Sequence, residues 1–221
     1  MTLNTPLVLG RTSGHLRRCL LGATAGLLAY LLVLTPRSAQ ATIMVDVPMD
    51  DMIQESDLVI RGTVMRTGTR LARAAGELEP RTHTWIRVQE VFAGQPPASN
   101  IVHVWEPGGT YQDVQVTVAG APHYEVAEEV VVFLARDPEQ PDVYRTVEMT
   151  QGKYHVLPKS TASASVMAVR DLSDVAMARW RRNRMQIVEP PPQKPVSIEN
   201  VKARVRARWL PAALKHKDIA R

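Results

Sequence analysis

The sequence predicts a mainly β fold, a small antiparallel barrel or sandwich with a short helix before it and helices after it. Seven short stretches between residues 58 and 157 are rich in β-branched side chains, and most of them end at Gly or Pro clusters. No long alternation of strand and helix occurs, which argues against a doubly wound parallel sheet. The single cysteine, Cys19, lies ahead of this region. After it the chain has no thiol for a disulfide, a zinc–thiolate site or a nucleophile, so the fold must rest on an ordinary hydrophobic core.

Residues 1–41 read as a secretory signal. They hold Arg11, Arg17, Arg18 and Arg37 and no acidic residue, and an apolar run from Leu20 to Leu34 follows the arginine pair. Ala39-Gln40-Ala41 supplies the small-x-small site of a signal peptidase, with Thr42 as the first mature residue. Fifteen apolar residues are short of the roughly 20 that span a bilayer as a retained anchor. Cys19 precedes the apolar run instead of closing it, which disfavours lipidation there. The expected location is the periplasm, the cell surface or the exterior.

Charge divides the remainder. Residues 42–158 contain 9 basic and 17 acidic residues, while 159–221 contain 14 basic and 5 acidic. An acidic β domain thus precedes a basic tail, and the tail can be attracted to its own body as well as to an external anion.

In the body, Asp46 to Glu55 opens as a helix: Pro48 suits its start, Asp50 and Asp51 suit its positive end, and Met49, Met52 and Ile53 form an apolar stripe over the core. Leu58 to Val64 then alternates, with Gly62 marking a bulge or a close backbone approach. Further strands are expected at Thr82–Val91, Ile101–Trp105 and Val114–Val118. Val130-Val131-Val132-Phe133-Leu134 is apolar throughout, as in a strand covered on both faces. Val143–Met149 and Tyr154–Leu157 form a closing pair around Gln151-Gly152.

Ser56-Asp57-Leu58-Val59-Ile60-Arg61-Gly62-Thr63-Val64, Val88-Gln89-Glu90-Val91-Phe92-Ala93-Gly94, Glu128-Glu129-Val130-Val131-Val132-Phe133-Leu134 and Gln151-Gly152-Lys153-Tyr154 resemble a group of uncharacterised exported bacterial proteins. More distantly, residues 42–158 resemble the netrin-like module, the OB-type barrel of tissue inhibitors of metalloproteinases. That resemblance implies a barrel and, in its sharper form, a protease as partner. The inhibitors chelate their target's zinc through an amino-terminal cysteine; this chain would begin at Thr42, so that mechanism does not transfer. Ala127 also stands where the bacterial group tends to have glycine.

The tail begins with a connector, 159–169, in which Val166–Val169 can add an edge strand. Asp171–Met185 is expected as a helix, with Leu172, Val175, Ala176 and Arg179 on one side and a basic cluster at its end. The proline-rich segment 189–195 is a polyproline spacer. Ser197 then caps a last helix whose apolar stripe is Ile198, Val201, Val205 and Trp209, flanked by the basic residues Lys202, Arg204, Arg206 and Arg208. This helix can lie on an anionic membrane, bind a partner or pack back on the barrel, the last being the preferred reading.

Chemistry is hard to find. No Gly-x-Ser-x-Gly, His-Glu-x-x-His or Gly-rich phosphate loop occurs. His83, His103 and His155 fall on expected strands, where they could converge with Glu106 or Asp113 on a metal. Glu128 and Glu129 are neighbours and point to opposite faces, unlike an acid/base pair. The body is acidic and poor in aromatics, which disfavours nucleic acid. The expectation is therefore a non-catalytic interaction module without a cofactor, binding a protein; the alternatives are membrane attachment through 197–214 or a metal-dependent enzyme built on the strand histidines.

Overall fold

The computed structural model describes residues 42–74, 77–159, 165–181, 184–190 and 192–210. The expected leader and the alanines of its expected cleavage site, Ala39 and Ala41, lie outside the described residues. The fold is mainly β, and its elements in chain order are β1 (Thr42–Val45), α1 (Met49–Glu55), β2 (Leu58–Ala74), β3 (Glu77–Ala93), β4 (Ile101–Pro107), β5 (Gly109–Tyr111), β6 (Val114–Val116), β7 (Glu129–Arg136), β8 (Val143–Thr146), β9 (Lys153–Val156), β10 (Met167–Val169), β11 (Val175–Arg181), β12 (Arg184–Val188), β13 (Val196–Ser197) and α2 (Ile198–Arg208).

Most strands form one eight-stranded sheet in the order β13-β10-β9-β7-β2-β3-β4-β8. Its far strand curls back. β8 pairs parallel with β4, His103 beside Val143, and antiparallel with β7, Leu134 beside Thr146. The ring β2-β3-β4-β8-β7 is thereby closed, with the connectivity of an OB-type barrel. Closure needs strong curvature, and β2 supplies it through register shifts at Val59/Ile60, Arg61/Gly62 and Val64/Arg66. A Cβ on Gly62 would stand 2.5 Å from the carbonyl oxygen of Arg87, so only glycine lets β3 come this close.

Alternation sends the strands' apolar residues to two cores. Leu58, Ile60, Val64, Ile86, Val102, Val104, Val130, Val132, Leu134 and Tyr144 fill the ring. Val59, Val131 and Phe133 point outward into a second cluster with Met52 and Ile53 of α1 and Ile198, Val201 and Val205 of α2. Val130–Leu134 of β7 is apolar throughout because it is covered on both sides.

The basic tail is built into the sheets. β10 joins β9 and β13, and β11 pairs with β1 in parallel, Thr42 beside Val175. Residues 171–185 are not the expected helix: β11 and β12 form an antiparallel hairpin, Ala178 beside Ile187. The Asp171 carboxylate accepts from the backbone N–H and the hydroxyl of Ser173, a turn that competes with helix initiation. Val175 and Met177, two apart, then bury with Met44 and Leu172. Thus one helix, α2, follows the barrel among the described residues, where the sequence predicted two.

Two other expectations shift. The strand expected at 114–118 belongs to a separate hairpin, β5–β6, outside the large sheet. The strand expected at 143–149 stops at Thr146, because Glu148 and Met149 take left-handed conformations before a short 3-10 turn. Ser197 stands at the start of α2 without a side-chain capping bond, and the Ile198 N–H goes to Val166 O instead.

Candidate binding face

β2 and β3 extend well past the strands expected there, and their outer sides line up with β4 and β8. Register sets Arg66 beside Trp85 and Trp85 beside His103. The next row is Gly68, His83 and Trp105, and the row after it puts Arg70 directly beside Arg81. Arg145 comes from β8. Glu79, beside Ala72, continues the same side toward the tip of the hairpin.

Arginine and aromatic rings interleave across this face. The Arg66 guanidinium lies 3.8 Å from the Trp85 centroid, and His103 stacks on Trp85 at 4.7 Å and 4°. Trp105 carries Arg81 at 3.9 Å and Arg145 at 4.7 Å. Each such contact contributes about 0.5–1 kcal/mol at an exposed site. The Trp105 indole N–H donates to Asp137 Oδ2 at 2.7 Å, and the other oxygen of Asp137 receives the N–H groups of Glu139 and Gln140. The tryptophans thus act as fixed spacers for guanidinium groups.

His83 Nδ1 and His103 Nε2 are 2.8 Å apart, so one ring donates its proton to the other. Burial lowers the pKa of His103 to about 4, with His83, Arg70 and Arg66 adding to the effect. The same combination, burial first and then Arg70 and Arg81, lowers that of His83. Both rings are neutral near pH 7.

Among the described residues, the carboxylates that form ion pairs do so elsewhere. Glu129 pairs with Arg61, Glu128 with Lys153 and His155, Glu90 with Lys202, and Asp50 with Arg204 and Arg208. None pairs with Arg66, Arg70, Arg81 or Arg145.

The three strand histidines do not converge. His155 is on the other side of the barrel with Glu128, Glu106 is inside it accepting the Thr146 N–H at 2.9 Å, and Asp113 is exposed at the β5–β6 turn. Among the described residues, no three His, Cys, Asp or Glu side chains are grouped to hold a metal. Glu128 and Glu129 have separate cationic partners, as expected of neighbours on opposite faces.

The residues singled out on α2 are mostly engaged with the body. Ile198, Val201 and Val205 are buried in the outer core. Lys202 meets Glu90, Arg204 donates to Asp50 at 2.6 Å, Arg208 stands 3.7 Å from the same carboxylate, and the Trp209 indole donates to Ser56 O at 3.1 Å. Arg206 is exposed. The apolar stripe offered to a membrane or partner is therefore occupied by the chain's own body. A cleft of about 250 Å³ beside α1 has Arg170 and Arg204 in its wall, both already bonded, to Gln193 and Asp50.

Sequence reasoning missed the arginine face, since β2 was expected to stop at Val64. Its one legible trace is alternation: Arg66 and Arg70 share a parity, as do Arg81, His83 and Trp85. No family model and no curated protein matches this chain.

Proposed function

We propose that the protein is an exported, non-catalytic interaction module whose contact surface is the outer face of β2, β3, β4 and β8, and that its partner is anionic there. One observation carries the reading. In a body with 17 acidic and 9 basic residues, four arginines share one face and none has a carboxylate partner among the described residues. Lys202, Arg204 and Arg208 of α2, by contrast, take carboxylates from the body. The outer face of the central barrel strands is also where OB-type barrels commonly bind ligands, an analogy of fold and not of mechanism.

The test is affinity capture from host envelope and culture fluid at moderate salt, with the natural protein beside the variant Arg66→Gln/Arg70→Gln/Arg81→Gln/Arg145→Gln. A partner retained by the first and lost by the second is the expected result. Equal retention by both would remove this face from the function. A protease as partner is the sharper form, suggested by the netrin-like resemblance alone; slowing of a host metalloprotease by the purified protein tests it.

A further inference from the structure

We propose that the outward side of the small β1-β11-β12 sheet docks on an anionic lipid bilayer, which it meets at headgroup depth. The proposal goes beyond the contact face described above and lies on a different sheet.

β11 runs between β1 and β12. Alternation sends Met44, Val175, Met177 and Val188 to one side, where they pack with Leu172. The other side takes Ile43 and Val45 from β1, Ala176 and Ala178 from β11, and Met185 and Ile187 from β12. Val45, Ala178 and Ile187 share one row of it. Its large side chains lie open: Ile43 is 50% exposed, Val45 60%, Met185 59% and Ile187 60%. Apolar side chains gathered in water on one surface mark a place of contact.

Charge selects the occupant. From Val175 to Val188 the chain holds Arg179, Arg181, Arg182 and Arg184 and no acidic residue. These arginines gather toward the turn of the β11–β12 hairpin, where Arg181 stands beside Arg184. Asp174 and Glu189 flank its other end. An apolar side that ends in a cationic tip matches a bilayer interface, where alkyl groups reach the acyl boundary and guanidinium groups reach phosphates. A protein partner needs donors and acceptors to fix its orientation, and the six side chains named carry no N–H or O–H. β1 and β12 are also open edges of this sheet. Their backbone polar groups must stay with water or headgroups, so the contact is shallow.

Ala41–Arg221 is a compact unit by itself. The chain from Thr42 is therefore tested without the apolar run Leu20–Leu34, which would bind lipid of its own accord. Sedimentation is measured with vesicles of mixed phosphatidylglycerol and phosphatidylcholine and with vesicles of phosphatidylcholine alone. Binding to the first should weaken as salt rises and exceed binding to the second about tenfold or more. Met185→Thr/Ile187→Thr and Ile43→Thr/Val45→Thr keep strand propensity and should each weaken it about tenfold or more, with circular dichroism unchanged. Arg184→Gln should weaken it about fivefold, and Arg206→Gln, an exposed arginine on α2, should leave it unchanged.

The chain from Thr42 has no cysteine, so Ile187→Cys takes a polarity-sensitive fluorophore at a single place. Its emission should shift to the blue on anionic vesicles, and that of Val114→Cys, exposed on β6, should not. Sedimentation that survives both threonine pairs but is lost in Arg66→Gln/Arg70→Gln/Arg81→Gln/Arg145→Gln would move the lipid to the arginine face and overturn the proposal. A blue shift at position 187 that needs no lipid and grows with protein concentration would make a second copy of the chain the occupant instead. Absence of binding to anionic vesicles at low salt would end the proposal outright.

Discussion

Arg204 donates its Nε–H to Asp50 Oδ1 at 2.6 Å, joining α2 to the first turn of α1. The pair is solvated, and beneath it Ile198, Val201 and Val205 are almost fully buried. Attachment of α2 therefore depends on the apolar stripe far more than on the ion pair. Arg204→Ala should leave the urea midpoint nearly unchanged. Ile198→Ala should lower stability by about 2–5 kcal/mol. Vesicle sedimentation then reads the membrane alternative: with the stripe occupied, the natural protein should not sediment with anionic vesicles through α2.

Glu106 is enclosed in the barrel. Burial pushes its carboxyl up to about 7, against the Thr146 hydrogen bonds and Arg145, which pull it down. A raised carboxyl pKa means that the folded state binds the extra proton. That contribution is complete below about 4.5 and is lost as pH rises through 7. The stability difference between the natural protein and Glu106→Gln should thus shift by about 3 kcal/mol between about pH 4 and about pH 8, to the disadvantage of the natural protein. Denaturant unfolding across that range measures it.

Glu128 has the opposite sign. Burial alone would raise its carboxyl, but hydrogen bonds from His155, Lys153 and the Glu125 N–H, together with the Lys153 charge, hold it down to about 2. Its stabilising share is present above about 4.5 and lost as pH falls through 2. Acid unfolding of Glu128→Gln should be shallower than that of the natural protein. The same replacement strands the buried Lys153 ammonium and should cost stability at neutral pH.

His103 should titrate near pH 4, well below an ordinary imidazole, because burial and the charges of His83, Arg70 and Arg66 oppose its protonation. The neutral ring's contribution to stability is present above 6.5 and lost as pH falls through 4. An NMR titration of the ring protons checks this. Arg66→Gln should raise the midpoint by removing one of the opposing charges.

Gly94 ends β3 with φ +84, and a Cβ there would stand 2.2 Å from the carbonyl oxygen of Asp57. Gly94→Ala should lower stability by about 1–3 kcal/mol from backbone strain, with the clash added. A thermal melt distinguishes it from Gly68→Ala, where the space is open.

The barrel was legible because its strands bury apolar residues in patterns that local sequence carries. β7 read as doubly covered, Gly62 as a close approach, and Met52 and Ile53 as a lid. The far half of β2 was not, since residues 65–74 pair only with β3 beyond the ring and need no buried face. Leu172, Val175 and Ala176 fit a helical spacing as well as Val175 and Met177 fit a strand. The choice was made by β1, far away in sequence. The arginine face was hidden for a related reason: its members come from four strands, and only the register between β2, β3, β4 and β8 brings them together.

The parallel pairing of β1 with β11 bears on how the molecule is made. β1 contains the first described residues, and its sheet partner is not synthesised until residues 175–178 leave the ribosome. α1 likewise waits for α2 before its outer side is covered. Early in synthesis the apolar residues of β1 and α1 have no native cover, so these contacts form late. The outer layer therefore closes only after the whole span from β1 to α2 has been made, and the two ends of the described chain are joined last.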